Sequence, residues 1–144
     1  MTIISGRVQK GIGDFRKRMT GYPDVFRRAT GESLLPGTVN VKVDRKIRVK
    51  EEFRIVGKHI NEPEQDLLFE RCSVNGIPAY RIRPYNLRTG EGGHGDDVIE
   101  IASAQEIPNV DEGAVVEITF WRDDLDVSLA ANKGVQATAA SPGS

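Results

Sequence analysis

The sequence predicts an all-β fold, a small closed six-stranded barrel with one short principal helix. Three observations carry that expectation. Six or seven short runs of apolar alternation crowd into 144 residues, a spacing that leaves room for strands, turns and little else. Two of these runs, Leu67 to Val74 and Ile77 to Ile82, flank Asn75-Gly76, a strong hairpin signal because a type I′ turn needs positive φ at both central residues. Only one segment, near Tyr22 to Gly31, has clear helical spacing. With so many strands in so short a chain, closure removes the exposed edges that an open sheet would leave.

Taken in order, Ile3, Ile4 and Val8 mark a first strand, followed by a loop with two close glycines, Gly11 and Gly13. Pro23 suits a first helical position and Gly31 a C-terminal stop. Between them Tyr22, Val25, Phe26 and Ala29 share one face at helical spacing. Thr38 to Val43 alternates strictly, so Val39, Val41 and Val43 face one side while Thr38, Asn40 and Lys42 face the other. Shorter alternations follow at Ile47 and Val49 and at Phe53 and Ile55, and later strands run through Val98 to Ile101 and Val115 to Phe120. The composition changes near residue 128, after which the chain is small, polar and aperiodic. Residues 1–127 therefore read as one domain and 128–144 as a disordered tail.

Composition narrows the function classes. The chain is 38% hydrophobic and 28% charged, enough to build a core. No apolar run approaches a bilayer span and the N-terminus has no signal-peptide pattern, so a cytoplasmic protein is expected. The single cysteine, Cys72, excludes an intramolecular disulfide and reads as a buried thiol. The net charge of −1 hides an asymmetry, about +8 over residues 1–58 and −9 over 59–144. Either the first half meets an anionic partner or the two halves neutralise each other within one fold. A near-zero total argues against a dedicated nucleic-acid coat.

Several chemistries find no support. Gly11 and Gly13 lack the third glycine and long helix of a dinucleotide site, and there is no phosphate-binding P-loop. His59 and His94 have no metal-ligand spacing; the adjacent acids Asp96 and Asp97 read as a possible cation site or simply as solvated loop residues. The segment Pro36-Gly37-Thr38-Val39-Asn40-Val41-Lys42 is more suggestive. It projects a hydroxyl, an amide and an ammonium from one strand face. Neutral oxygens of this kind suit a magnesium ion that keeps waters and phosphates in its remaining positions. The same pattern also fits the solvent-facing half of an amphipathic strand.

Four blocks in order along residues 4 to 120 resemble the archaeal-type CTP-dependent riboflavin kinases, which are cradle-loop (RIFT-related) β-barrels. They are Gly6-Arg7-Val8 with Gly11-Ile12-Gly13; Tyr22 and Phe26 leading to Gly31; Leu35-Pro36-Gly37-Thr38-Val39-Asn40-Val41-Lys42; and His94-Gly95-Asp96-Asp97-Val98-Ile99-Glu100-Ile101. The third is similar to the family's P-x-G-T-[LV]-N-[LV] signature and is the most specific.

The resemblance implies roles. Thr38 and Asn40 match positions that hold Mg2+ beside the nucleotide phosphates. Gly11, Ile12 and Gly13 match the turn that approaches the nucleotide; from the strand pattern itself, Lys42 or nearby arginines would help neutralise the phosphates. Glu100 matches an acid at the riboflavin hydroxyl, and His94 and Asp97 fall at the flavin end. The implied reaction moves the γ-phosphate of CTP to the 5′-hydroxyl of riboflavin, giving FMN and CDP; the sequence leaves the oligomeric state open, with a monomer favoured. Thr38 and Asn40 should then lie on a strand facing a cleft, and the loop from Thr89 to Gly95, with four glycines in seven residues, should close over substrate. The other reading is a non-catalytic barrel that binds nucleotide, flavin or nucleic acid through Arg16-Lys17-Arg18 and Arg27-Arg28.

Overall fold

Six antiparallel strands close on one another and leave no free edge within the ring. The computed structural model describes residues 1–11, 13–92 and 94–125. Its strands are β1 (Thr2–Gln9), β2 (Val39–Lys42), β3 (Phe53–Ile55), β4 (Gln65–Val74), β5 (Ile77–Asn86), β6 (Val98–Ala102) and β7 (Val115–Phe120). Neighbours run β4-β5-β6-β2-β1-β7, and β7 returns to β4 through Cys72↔Phe120, Ser73↔Thr119 and Val74↔Ile118. The expected closed barrel of six strands is therefore present. β3 is an additional strand paired only with β4, opposite Leu67 to Phe69.

The hairpin between β4 and β5 turns where the sequence predicts. Asn75 and Gly76 both have positive φ, 50° and 81°, and the ten-residue register Gln65↔Asn86 through Val74↔Ile77 follows from that tight turn. Pro78 and Pro84 both lie in β5, whose pairing with β6 is confined to Tyr80 and Arg81. Proline lacks an N–H, so both occupy parts of the strand with no ladder partner on the β6 side.

Strand alternation divides the apolar residues into two clusters. Val41, Val43, Ile99, Ile101, Val116, Ile118 and Phe120 fill the barrel with Ile4, Val8 and Val74. Leu67, Phe69, Tyr80, Ile82 and Ala102 point outward instead and are covered by the helices through Phe15, Met19 and Phe26. Phe69 stacks on Phe53 at 4.9 Å and meets Phe26 edge-on at 6.4 Å, arrangements that aromatic quadrupoles favour.

Two helices, not one, form that cover: α1 (Phe15–Gly21) and α2 (Pro23–Thr30). Pro23 opens α2 and Gly31 caps it at φ 79°, as the sequence indicates. Tyr22 lies between the helices and caps α2 rather than beginning it. α1 exists because Phe15 and Met19, four residues apart, bury the same face. A second correction concerns Ile47 and Val49. Ile47 makes only an isolated bridge, its N–H donating to the Asp96 carbonyl at 3.0 Å, and Val49 is in no strand. β6 begins only at Val98, so no strand continues alongside 47–49. The tail 128–144 and Ile12 lie outside the described residues, as does Gly93 of the glycine-rich loop.

The charge asymmetry is partly neutralised internally. Arg18, Lys42 and Arg54 of the basic half pair with Glu62, Asp97 and Asp66 of the acidic half. Among the described residues, no helix is long and apolar enough to cross a membrane.

Candidate functional site

Asn40 of β2 and Glu100 of β6 are direct cross-strand partners. Their neighbours Val41, Ile99 and Ile101 point into the barrel, so the pleat turns Asn40 and Glu100 to the outer face. That face is polar but not open, for Asn40 is 7% and Glu100 4% exposed. The loop after β1 covers them. A Cβ on Gly11 would collide with Asn40 Nδ2, and one on Gly13 would come 3.7 Å from Glu100 Oε2. Gly11 is therefore a close-approach glycine, where any side chain would displace the amide beneath.

Glu100 lies at the centre of the cluster. Thr38 Oγ1 donates to its Oε2 at 2.8 Å, and His94 Nε2 lies 3.2 Å from its Oε1. The carboxylate thus has the Thr38 hydroxyl on one oxygen and the His94 imidazole on the other, with no Lys or Arg among its ion pairs in the described residues. Thr38 sits one residue before β2, not within it, and borders a cleft of about 250 Å3 with Arg16, Gly37 and Ser103. His94 borders a larger cleft of about 660 Å3 with Lys46, Arg48, Arg83, Tyr85 and Asp96. The volume is within the range of small-molecule sites. Glu100 lies between residues that border two different clefts.

The hydrogen bond to Glu100 raises the His94 pKa above its ordinary value, against an opposing effect of burial. Lys42 and Asp97, expected at opposite ends of the site, instead bind each other on the exposed surface. The ammonium holds the Asp97 carboxyl below its usual range. Of the residues singled out in the sequence, Gly11, Gly13, Thr38, Asn40, His94 and Glu100 come together, with Lys42 and Asp97 at the margin.

Sequence reasoning missed Arg83, whose guanidinium binds His94 and Asp96. It stands in an ordinary alternating strand, and its partners lie 11 to 13 residues onward across a loop, so no local spacing marks it.

The donor set fits a hard cation. No group of three or more His, Cys, Asp or Glu is placed to hold a metal among the described residues, but Thr38 and Asn40 offer neutral oxygens. Thr38 donates its hydroxyl hydrogen to Glu100, which leaves the oxygen's lone pairs for a ligand. The buried Asn40 amide makes no hydrogen bond with a described residue.

No protein-family model matches the chain. A riboflavin kinase from Methanocorpusculum labreanum is 27% identical over 115 residues, which is 73% of this chain and 50% of that protein. The chain thus spans about half the length of the relative it matches. Across that span, and in keeping with the four sequence blocks, this protein is similar to a riboflavin kinase.

Proposed function

We propose that this protein is a riboflavin kinase that transfers the γ-phosphate of CTP to the 5′-hydroxyl of riboflavin. The observation that carries the reading is the Thr38–Glu100–His94 arrangement, a buried carboxylate between two clefts with Asn40 facing it. Phosphoryl transfer asks the protein chiefly to align an acceptor hydroxyl and to stabilise spread negative charge. Both clefts border residues that touch Glu100, so one can hold a phosphate chain and the other an acceptor.

The smaller cleft, beside Thr38 and Arg16, takes the nucleotide phosphates. The larger one, beside His94 and Tyr85, takes the flavin. Thr38 and Asn40 hold Mg2+, which supplies charge neutralisation to the phosphate oxygens. Glu100 accepts the proton from the ribityl 5′-hydroxyl as the new O–P bond forms. The bond from the γ-phosphorus to the bridging oxygen breaks, and CDP leaves with FMN as product. CTP as donor follows from the resemblance of the four sequence blocks.

Incubation with riboflavin, Mg2+ and either CTP or ATP, followed by separation of riboflavin from FMN, tests the reading. FMN is expected with CTP and to a much smaller extent with ATP. Asn40→Ala is expected to lower turnover by orders of magnitude with the fold intact. Equal turnover by the mutant would remove the metal assignment, and no FMN from any nucleoside triphosphate would remove the kinase reading.

A further inference from the structure

We propose that Arg83 is a positioning residue for Glu100, acting through His94: its guanidinium fixes the imidazole as the tautomer with the proton on Nε2, aimed at the Glu100 carboxylate. The proposal deepens the kinase reading, in which Glu100 accepts the acceptor's proton.

The argument is one of donors and acceptors. Arg83 Nη1 lies 3.0 Å from His94 Nδ1 and also donates to the Gly95 carbonyl at 3.3 Å. Its Nη2 donates to the His94 carbonyl, and its Nε lies 3.0 Å from Asp96 Oδ1. A guanidinium has five N–H donors, no acceptor, and stays charged. The Nδ1 facing it answers that donor when it presents a lone pair, which places the single proton of a neutral imidazole on Nε2. Nε2 in turn faces Glu100 Oε1, which as a carboxylate only accepts. The chain of bonds has one direction, from Arg83 through His94 to Glu100, met from the other side by the Thr38 hydroxyl.

One contact competes. The Gly95 carbonyl is 3.1 Å from His94 Nδ1 and would accept a proton placed there. That arrangement would turn an N–H toward the guanidinium, and Gly95 O already receives a bond from Arg83 Nη1. A charge-assisted donor against a lone pair is the stronger arrangement. The charged side chains facing His94 among the described residues are Arg83 from β5 and Glu100 from β6, with Asp96 behind Arg83. Glu100 and the Gly95 carbonyl favour the doubly protonated ring, and burial and Arg83 oppose it.

The consequence concerns where a proton can go. With Nε2–H on one oxygen and the Thr38 hydroxyl on the other, both Glu100 oxygens are fixed in place by donors and each keeps a lone pair free. It is then ready to accept the proton of an incoming hydroxyl on a remaining lone pair. Arg83 does not itself need to touch the substrate.

The chain has two histidines, His59 and His94, so NMR of 15N-histidine-labelled protein can resolve the tautomer, with His59→Gln as the assignment control. Above the His94 pKa, the wild type should show an unprotonated Nδ1 and a protonated Nε2. In Arg83→Leu, population should move toward the Nδ1–H form bonded to Gly95 O, and His94 should titrate at higher pH. A wild-type ring with its proton on Nδ1 would overturn the proposal. So would an unchanged tautomer and titration in a folded Arg83→Leu protein. If the variant does not fold, the wild-type spectrum still decides. The readout needs no turnover, so a wrong tautomer and a wrong kinase reading are separable: the first leaves FMN formation in place, the second leaves the spectrum in place.

Discussion

Two buried glutamates in this protein have opposite surroundings. Glu70, on the interior face of β4, is 2% exposed and fully engaged. Arg122 binds both of its oxygens, at 2.6 and 3.1 Å, and the Lys50 N–H donates to Oε1 at 2.9 Å. Arg122 is itself held by the carbonyls of Arg48 and Asp124. Glu100, on the outer face of β6, is also buried, but among the described residues its side-chain partners are the Thr38 hydroxyl and the His94 imidazole, with no Lys or Arg. A charge that is buried, paired and fully hydrogen-bonded fixes structure; one with spare acceptor capacity beside two clefts is suited to chemistry.

The sharpest way to break this contrast is to neutralise each carboxylate in turn. Glu100→Gln keeps the shape and removes the proton acceptor. If Glu100 is the general base, turnover falls by about 10² to 10⁴, while at a pH above the His94 pKa the thermal midpoint barely moves because the Thr38 hydroxyl and the imidazole can re-form bonds to an amide. Steady-state FMN formation beside a melting curve checks both halves. A Glu100→Gln protein of full activity would reduce the outer cluster to a second structural device.

Glu70→Ala is expected to do the reverse. It leaves the Arg122 guanidinium without its carboxylate, and Arg81 loses a compensating charge. Arg81 is wholly buried, its nitrogens have no hydrogen bond to a described residue, and burial already pushes its pKa down to about 10. Removing one partner of a buried pair costs about 3–5 kcal/mol, a large part of the roughly 5–15 kcal/mol that keeps a domain folded. Cys72, on the same strand and 2% exposed, reports the loss. Burial pushes its thiol pKa far upward, so thiol reagents should label it only through opening, and faster in Glu70→Ala. Turnover per folded molecule should match wild type.

How much of this was legible in the sequence follows from the range of each interaction. The Val39–Val41–Val43 alternation, the Asn75-Gly76 turn and the Pro23 and Gly31 helix ends are local signals, and each sits where the pattern puts it. α1 was hidden because Arg16, Lys17 and Arg18 dominate a segment whose helical evidence is only Phe15 and Met19. The interior pair was hidden for a different reason. Glu70 lies among apolar residues of its strand face, and its partner Arg122 is 52 residues away. Only barrel closure through β4 and β7 brings them together. The outer cluster was more visible because β2 carries a recognisable block, yet the residue orienting His94, Arg83, has no signature of its own. The resemblance pointed to Glu100 and Thr38, but the network joining them is a product of register.

The smallest expected effect comes from Lys42 and Asp97, on the same outer sheet as Glu100 but in solvent, with side chains 50% and 30% exposed. Exposed ion pairs contribute about 0–1 kcal/mol and are screened by salt. Lys42→Met and Asp97→Asn should therefore each lower stability by less than about 1 kcal/mol, a difference that shrinks at high ionic strength. The pH dependence has a definite sign. Lys42 depresses the Asp97 pKa in the folded state, so the pair's contribution is present above the unfolded carboxyl value of about 3.9 and is lost as pH falls through the lower folded value. Denaturant titrations of wild type and Lys42→Met at neutral and acid pH should converge at acid pH. Activity separates what stability cannot. If the pair only orders the turn before β6, the two variants raise the nucleotide KM equally. If Lys42 also meets phosphate, as the first-half charge suggests, Lys42→Met raises it alone, whereas Asp97→Asn frees the ammonium and lowers it. We expect the second pattern, at a few-fold in each direction, and equal shifts would confine Lys42 to the surface.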